Sequence, residues 1–226
     1  MTREMYRRLE DYMEQCMSDS AHDREHVRRV LYQALEIAKR EEQGVNTDIL
    51  IAACLLHDIG RREQLEDPGL CHAEVGSEKA GKFLRAQGFS DPFAAAVEHC
   101  IRSHRFSRRA PPESMEAKIL YDADKLDVTG AMGIARTLMY QGELSRPLYS
   151  LSPEGRVSDG REDRTASFFQ EYHRKLRDLY GGFYTRSGEA LARERQAAAR
   201  DFYERLYAEA AFSYAGGREA LEQALD

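Results

Sequence analysis

Residues 49–60 read ILIAACLLHDIG, an unbroken apolar run that ends in a histidine, an aspartate and a glycine. Apolar residues on all sides predict a helix buried in the core, since a surface helix would keep a polar face. Thr47 can cap the start of this helix, and Gly60 can end it. His57 and Asp58 therefore close a buried helix. Because an unpaired buried charge is costly, we expect a partner such as a metal ion to satisfy them.

The chain around this helix also carries helical signals, because apolar residues recur three and four apart and prolines are few. Residues 23–42 predict a half-buried helix, with His26 beside its apolar stripe and near its start. Further helices of the same kind are expected over residues 74–87, 92–103 and 113–127. We therefore predict an all-α fold with almost no sheet.

The C-terminal third is predicted to be a helical appendage. Residues 146–163 contain proline and glycine among polar residues and form the main irregular connection. Two long helices should follow, the last over residues 188–211. We expect a metal-binding helical core over residues 1–145 and a C-terminal helical extension over residues 146–226, packed on that core.

Composition limits the classes of protein that this chain can be. Of its 226 residues, 42% are hydrophobic and 32% charged, and no apolar run approaches the roughly 18 residues that span a bilayer. Residues 1–15 lack the apolar centre of a secretory signal, so we expect a cytoplasmic protein with no membrane partner. The net charge of −6 argues against broad nucleic-acid binding. The four widely spaced cysteines form no CxxC and are expected to be buried or incidental thiols.

Four residues on three predicted helices stand out as possible metal ligands: His26, His57, Asp58 and Asp124. Imidazole nitrogen with carboxylate oxygen suits borderline and hard divalent ions, such as manganese, iron, zinc or magnesium. A buried polar network in the core would use the same residues without a metal. We expect one divalent ion, with nickel and cobalt also compatible.

The order of a histidine, an HD pair about thirty residues later and a distant aspartate resembles the HD-domain superfamily of metal-dependent phosphohydrolases, over residues 21–142. EAKILYDADKLDVTGAMGIAR (residues 116–136) resembles small bacterial HD proteins implicated in nucleotide pyrophosphate hydrolysis, as KLRDL (175–179) and residues 185–195 do less clearly. The resemblance implies an HD-domain helical bundle with additional C-terminal helices. It also implies that the metal ligands are His26, His57, Asp58 and Asp124.

Two further histidines resemble the extra ligands of binuclear HD members. His72 precedes a small-residue helix and His104 ends another, so each can bind a second metal, contact substrate phosphate or serve the structure alone. Asp127, one helical turn after Asp124, is expected to orient a ligand or Lys125. We expect Asp122 to be exposed.

The predicted chemistry is attack of a metal-activated water on phosphorus, with Asp58 coupled most closely to formation of the nucleophile. Cations near the phosphate would stabilise the transition state. Lys125 follows Asp124 directly and is a catalytic candidate. We expect two basic segments to lie at the same opening of the site and to bind substrate. The first contains Arg61 and Arg62, and the second contains Arg105, Arg108 and Arg109. No Walker loop, GxGxxG fingerprint or nucleophile motif is present.

The leading functional prediction is pyrophosphohydrolysis of a small nucleoside triphosphate. A nucleoside 5'-monophosphatase or another phosphoesterase is the nearest variant. Two other classes stay open, a diiron HD-type oxygenase that uses six ligands and a non-catalytic nucleotide sensor. The C-terminal helices can complete the core, cover the site or form a homodimer interface.

Overall fold

The structure is a computed structural model that describes residues 1–17, 24–41, 44–105 and 111–225. Within these ranges the chain is helical, and extended pairing is limited to a single bridge between Leu151 and Val157. The prediction of an all-α fold is confirmed. No helix in the described ranges has both the length and the apolar character needed to cross a membrane. All four cysteines are free thiols.

The chain divides into two compact units, which are described separately. Unit 1 comprises Met1–Asp127 and Phe183–Glu189, and unit 2 comprises Val128–Gly182 and Ala190–Asp226. The boundary predicted between residues 145 and 146 stays a prediction.

Unit 1 is a bundle arranged around the helix that the apolar run predicts. Its helices are α1 (Arg3–Cys16), α2 (Arg24–Arg40), α3 (Thr47–Leu56), α4 (Arg61–Glu66), α5 (His72–Ala86), α6 (Asp91–Ser103) and α7 (Met115–Leu126). Helix α3 packs against α1, α2, α5, α6 and α7. Its residues Ala52 to Leu56 are fully buried, as expected of a helix that is apolar on all sides.

The start of α3 corrects one detail of the sequence prediction. The prediction that Thr47 caps this helix is wrong, because the Asn46 side chain accepts hydrogen bonds from the backbone nitrogens of Asp48 and Ile49. Asparagine is among the preferred capping residues because its short carbonyl reaches the free amides of the first turn. Thr47 is the first helical residue instead.

Unit 2 contains α8 (Gly130–Glu143), α9 (Phe168–Arg174), a 3₁₀ turn over Leu176–Asp178, and most of α10 (Arg186–Leu225). The prediction of two long helices is wrong for the first of them. Helix α9 has only 7 residues, and the left-handed φ of 73° at Gly182 separates it from α10. Helix α10 has 40 residues and runs well beyond the predicted end at residue 211.

Candidate metal centre

The first group of polar side chains in the core of unit 1 comes from α2, the end of α3 and α7. His26 lies on α2, and its Nε2 is 3.7 Å from Asp58 Oδ2 and 3.2 Å from Asp124 Oδ1. His57 Nε2 is 3.6 Å from Asp58 Oδ2 and 4.0 Å from Asp124 Oδ1. The structure thus brings together all four residues predicted as metal ligands.

A second group meets the same aspartate from the other side of its carboxylate. His72 Nε2 and His104 Nε2 each lie 3.7 Å from Asp58 Oδ1, and the two nitrogens are 3.3 Å apart. His72 begins α5, and His104 caps the C-terminus of α6. Asp58 therefore stands between two pairs of imidazoles, one pair facing each carboxylate oxygen.

Each of the four histidines has its Nδ1 beside an oxygen acceptor. His57 and His104 close their helices, and their Nδ1 atoms donate to the carbonyl oxygens of Cys54 at 2.7 Å and Ile101 at 2.6 Å. His72 Nδ1 is 2.7 Å from Gln64 Oε1. The Gln64 amide nitrogen donates to the Leu70 carbonyl, so its oxygen is the acceptor for His72.

For His26, the oxygen acceptor beside Nδ1 is the carboxylate of Asp127. Its Oδ2 accepts a hydrogen bond of 2.7 Å from His26 Nδ1, and its Oδ1 accepts one of 2.8 Å from Arg29 Nε. The carboxylate is 1% exposed. A histidine that donates through Nδ1 presents the lone pair of Nε2, which is how imidazole binds a metal ion in such sites. All four Nε2 atoms therefore point at Asp58 as possible ligands.

These side chains fit a divalent cation. Among the described residues, the buried atoms His57 Nε2 and Asp58 Oδ2 have no hydrogen-bond partner, although buried polar atoms are nearly always paired. Two ligand atoms each about 2.1 Å from one ion lie roughly 3 to 4 Å apart, and the separations given above have this size. One ion could be held by His26, His57 and Asp58, and another by Asp58, His72 and His104.

Burial and charge set the protonation of this cluster in a way that favours cation binding. Burial lowers the pKa of His57 to about 4, and burial together with Arg61 lowers the pKa of His72 to about 3. Both rings are therefore neutral at pH 7. Burial opposes ionisation of Asp58, but the neighbouring His57 and Arg61 outweigh it and hold the pKa of this carboxyl well below its usual range.

His26 differs from these two rings because carboxylates surround it. Burial alone would lower its pKa, but hydrogen bonds with Asp124 and Asp127 outweigh burial and raise the pKa to about 9. The same hydrogen bond with His26 overcomes burial at Asp124 and lowers the pKa of that carboxyl. In the absence of a metal ion, His26 is therefore protonated at pH 7, and it would lose its Nε2 proton on binding a cation. His57 and His72 already offer neutral lone pairs, beside two carboxylates that carry full negative charge.

The sequence matches the model of the HD domain over residues 24–129. It is also 31% identical over 180 residues to the uncharacterized protein YpgQ of Bacillus subtilis (strain 168), and the alignment covers 78% of each chain. The chain belongs to the HD domain family. The HD match begins at the start of α2 and ends just beyond α7, so it contains every side chain of the two groups.

Solved structures of HD proteins resemble nearly the whole chain. A predicted HD superfamily hydrolase from an uncultured Thermotogales bacterium is 31% identical, with a TM-score of 0.61 over 90% of this chain and 91% of that one. The crystal structure of Bacillus subtilis YpgQ in complex with ADP is 25% identical, with a TM-score of 0.70 over 91% and 95%. The predicted family is confirmed, and the chain is an HD-superfamily hydrolase with a His and Asp cluster that could hold metal.

The basic residues predicted to bind substrate lie in different environments. Arg61 Nε donates to Asp58 Oδ1 at 2.9 Å, so this guanidinium is part of the cluster. Arg62 is half-exposed and pairs with Glu66 one turn along α4. Arg105 donates to the sulfur of Cys71, the residue before His72. Arg108 and Arg109 lie outside the described residues.

Lys125 lies among aromatic rings. Its Nζ is 4.7 Å from the centre of the Phe183 ring and 5.8 Å from that of Tyr121. Burial lowers the pKa of its ammonium group. Its predicted catalytic role stays a prediction.

The prediction that Asp122 is exposed is wrong. Asp122 is fully buried and accepts hydrogen bonds from the backbone nitrogens of Tyr184 and Thr185 and from the Thr185 hydroxyl. It fixes residues 183–189 to α7 at a point two residues from Asp124. Its partners lie more than sixty residues away in sequence, so no local pattern could reveal them.

Gln64 is a further residue of the candidate metal centre, and it was not predicted from the sequence. It orients His72 through the hydrogen bond described above, yet a glutamine in a short charged helix carries no distinctive signal. Its position six residues after Asp58, on the helix that follows the HD pair, is the feature that could have suggested it.

Proposed function

We propose that this HD protein hydrolyses nucleoside triphosphates to a nucleoside monophosphate and pyrophosphate, with a divalent ion bound by His26, His57, Asp58 and Asp124. The observation that carries the proposal is the Asp58 carboxylate, which four imidazole Nε2 atoms face and whose Oδ2 has no hydrogen-bond partner within the described part of the chain. When bound, the ion would supply an activated water and neutralise a phosphoryl oxygen.

Residues around the cluster support phosphate chemistry. Arg61 holds Asp58 through one nitrogen, and its side chain is 25% exposed, so its guanidinium is placed to meet an incoming phosphate. Asp127 fixes the His26 ring, and Gln64 fixes that of His72. Arg62 and Arg105 stay candidates for contacts to more distant phosphates of the substrate. The reaction adds water across the bond between the α- and β-phosphates and releases pyrophosphate.

The nucleotide part of the proposal is supported by two likenesses. The stretch at residues 116–136 resembles small bacterial HD proteins implicated in nucleotide pyrophosphate hydrolysis, and the similar protein YpgQ has been crystallised with ADP. The excess of acidic residues in the chain makes a small nucleotide a better substrate than a long nucleic acid. A cytoplasmic location fits such a substrate and stays a prediction.

The test is turnover of a nucleotide panel by metal-reconstituted protein, with orthophosphate and pyrophosphate both measured. Asp58→Ala and Asp124→Ala are compared with the exposed substitution Asp11→Ala as a matched control. Pyrophosphate from triphosphates, lost in the first two variants and kept in the third, would support the proposal. Orthophosphate from monophosphates would favour the nucleotidase instead. No metal-dependent turnover of any phosphate compound would refute hydrolysis and leave the diiron oxygenase and the nucleotide sensor.

A diiron oxygenase is the second candidate because Asp58 separates two groups that could each hold an ion. It would use His26, His57, Asp58, Asp124, His72 and His104. Two irons per chain with a mixed-valent electron paramagnetic resonance signal, without phosphate release, would favour this class. Two manganese ions per chain with pyrophosphate release would favour a binuclear hydrolase.

A further inference from the structure

Unit 2 contains a cavity of about 180 Å³ whose lining residues all belong to this unit. We call it the arginine pocket. Six of its lining residues carry the argument: Arg161, Arg177, Arg200, Tyr172, His173 and Tyr203. Each of these belongs to unit 2, whereas His26, His57, Asp58, His72, His104 and Asp124 belong to unit 1.

One wall of the arginine pocket is a rigid aromatic cluster. The rings of Tyr172 and Tyr203 stack with centroids 4.0 Å apart and planes 2° from parallel, and His173 packs edge-on against both. All three side chains are at most 9% exposed. Because the wall joins α9 to α10, its shape is set by the packing of these two helices.

Hydrogen bonds fix the orientation of the histidine in this wall. The Tyr203 hydroxyl donates to the Asp159 carbonyl at 2.6 Å, so it accepts from His173 Nε2, which is 2.9 Å away. His173 Nδ1 therefore carries a lone pair, and Arg177 Nη1 donates to it at 3.4 Å. The neutral ring thus holds one guanidinium at the edge of the cavity.

Three guanidiniums line the arginine pocket, those of Arg161, Arg177 and Arg200, against one carboxylate in the lining, that of Glu204. The arginines pair with neighbouring aspartates, but their side chains are 67%, 50% and 60% exposed. Such exposed pairs are weak, so an anion can compete for the guanidiniums. Burial and Arg161 lower the pKa of His173, which keeps the ring neutral.

We propose that the arginine pocket binds a small inorganic phosphate anion, either orthophosphate or pyrophosphate. Guanidinium groups match phosphate oxygens through paired hydrogen bonds, and three of them around one cavity can contact more oxygens of a phosphate than a single carboxylate offers. The cavity, of about 180 Å³, has room for such an anion. The proposal does not depend on the reaction at the metal centre.

The experiment is calorimetric titration of the full, chelator-treated chain with sodium orthophosphate and, separately, with sodium pyrophosphate, at constant ionic strength. Metal removal prevents either anion from binding through a metal ion in unit 1. The double variant Arg177→Gln/Arg200→Gln is compared with Arg8→Gln, which removes an exposed arginine that pairs with Glu4 on α1. A further variant, Arg61→Gln, reports any binding at the metal centre. Circular dichroism checks folding, and Arg161→Gln replaces the double variant if that does not fold.

We expect saturable binding of one anion per chain, weakened about tenfold or more in the double variant and within about twofold of the unmodified chain in Arg8→Gln. The anion that binds more tightly identifies the ligand. Weakening in Arg61→Gln with an unchanged double variant would place the anion at the metal centre and overturn the proposal. No saturable binding of either anion up to roughly 10 mM would overturn it as well.

Discussion

At the scale of single residues, Asp58 is the point at which the two groups of possible ligands meet. Each of its oxygens faces two imidazole nitrogens, and Arg61 donates to one of them. A carboxylate in this position can bind one ion through each oxygen, whereas an asparagine could offer only one. Asp58 can therefore contribute both to the number of ions bound and to formation of the nucleophile.

Asp127 is predicted to control metal affinity through His26. In Asp127→Asn the side chain keeps its size but loses the charge that makes the His26 ring a strong ligand. Partners of this kind typically change metal affinity by about 10- to 100-fold, so we expect Mn²⁺ to bind more weakly by that factor. Calorimetry on the unmodified chain, Asp127→Asn and the exposed control Asp11→Asn measures this. Equal affinity in all three would show that Asp127 does not act on the metal.

The four candidate metal ligands could be predicted from the sequence because they occur in a recognisable order along the chain. His26, the HD pair and Asp124 form a motif whose members the fold brings together. The side chains that orient them were harder to predict, since hydrogen-bond partners such as Gln64 depend on helix packing rather than on any local pattern. Asp122 was mispredicted for the same reason, because its partners Tyr184 and Thr185 lie just before α10.

At the scale of elements, close contact between the end of α3 and the start of α5 places His72 beside Asp58. A Cβ atom on Gly60 would lie 2.3 Å from the His72 carbonyl oxygen and 2.6 Å from the Gly76 nitrogen. Both atoms are backbone, so only movement of α5 could relieve the clash. The prediction that Gly60 ends the buried helix is wrong, because α3 ends at Leu56 with His57 as its cap, and Gly60 instead precedes α4 and allows the close approach of α5.

Gly60→Ala is expected to destabilise the protein by about 1–3 kcal/mol and to move His72 away from Asp58. If two ions bind, the variant should lose the one near His72 and keep the other. Metal content per chain, measured by mass spectrometry, and urea denaturation test this. Gly142→Ala is the matched control, since an added Cβ there meets no atom within 4 Å. A variant with unchanged metal content and stability would contradict this account of α5.

Helix prediction was accurate where apolar residues form a stripe and failed where they do not. The bounds of α2 and α6 differ from prediction by at most two residues. Helix α10 continues past residue 211 although its side chains from there on are mostly exposed, so no apolar pattern marked its end. The first of the two predicted long helices is instead the 7-residue α9, which a 3₁₀ turn and the left-handed Gly182 separate from α10.

At the scale of the whole molecule, every residue of the two candidate metal groups belongs to unit 1. A metal ion that binds only the folded state should therefore stabilise unit 1 directly, by about 2.7 kcal/mol at a concentration one hundred times its dissociation constant. Hydrogen exchange with and without Mn²⁺ can locate this effect along the chain. We expect slower exchange in α2, α3, α5 and α7, a much smaller change in α8 and α9, and no effect in Asp58→Ala. Equal protection of both units, or protection that persists in Asp58→Ala, would mean that the metal binds elsewhere, because the ligands proposed here lie on the helices of unit 1 alone.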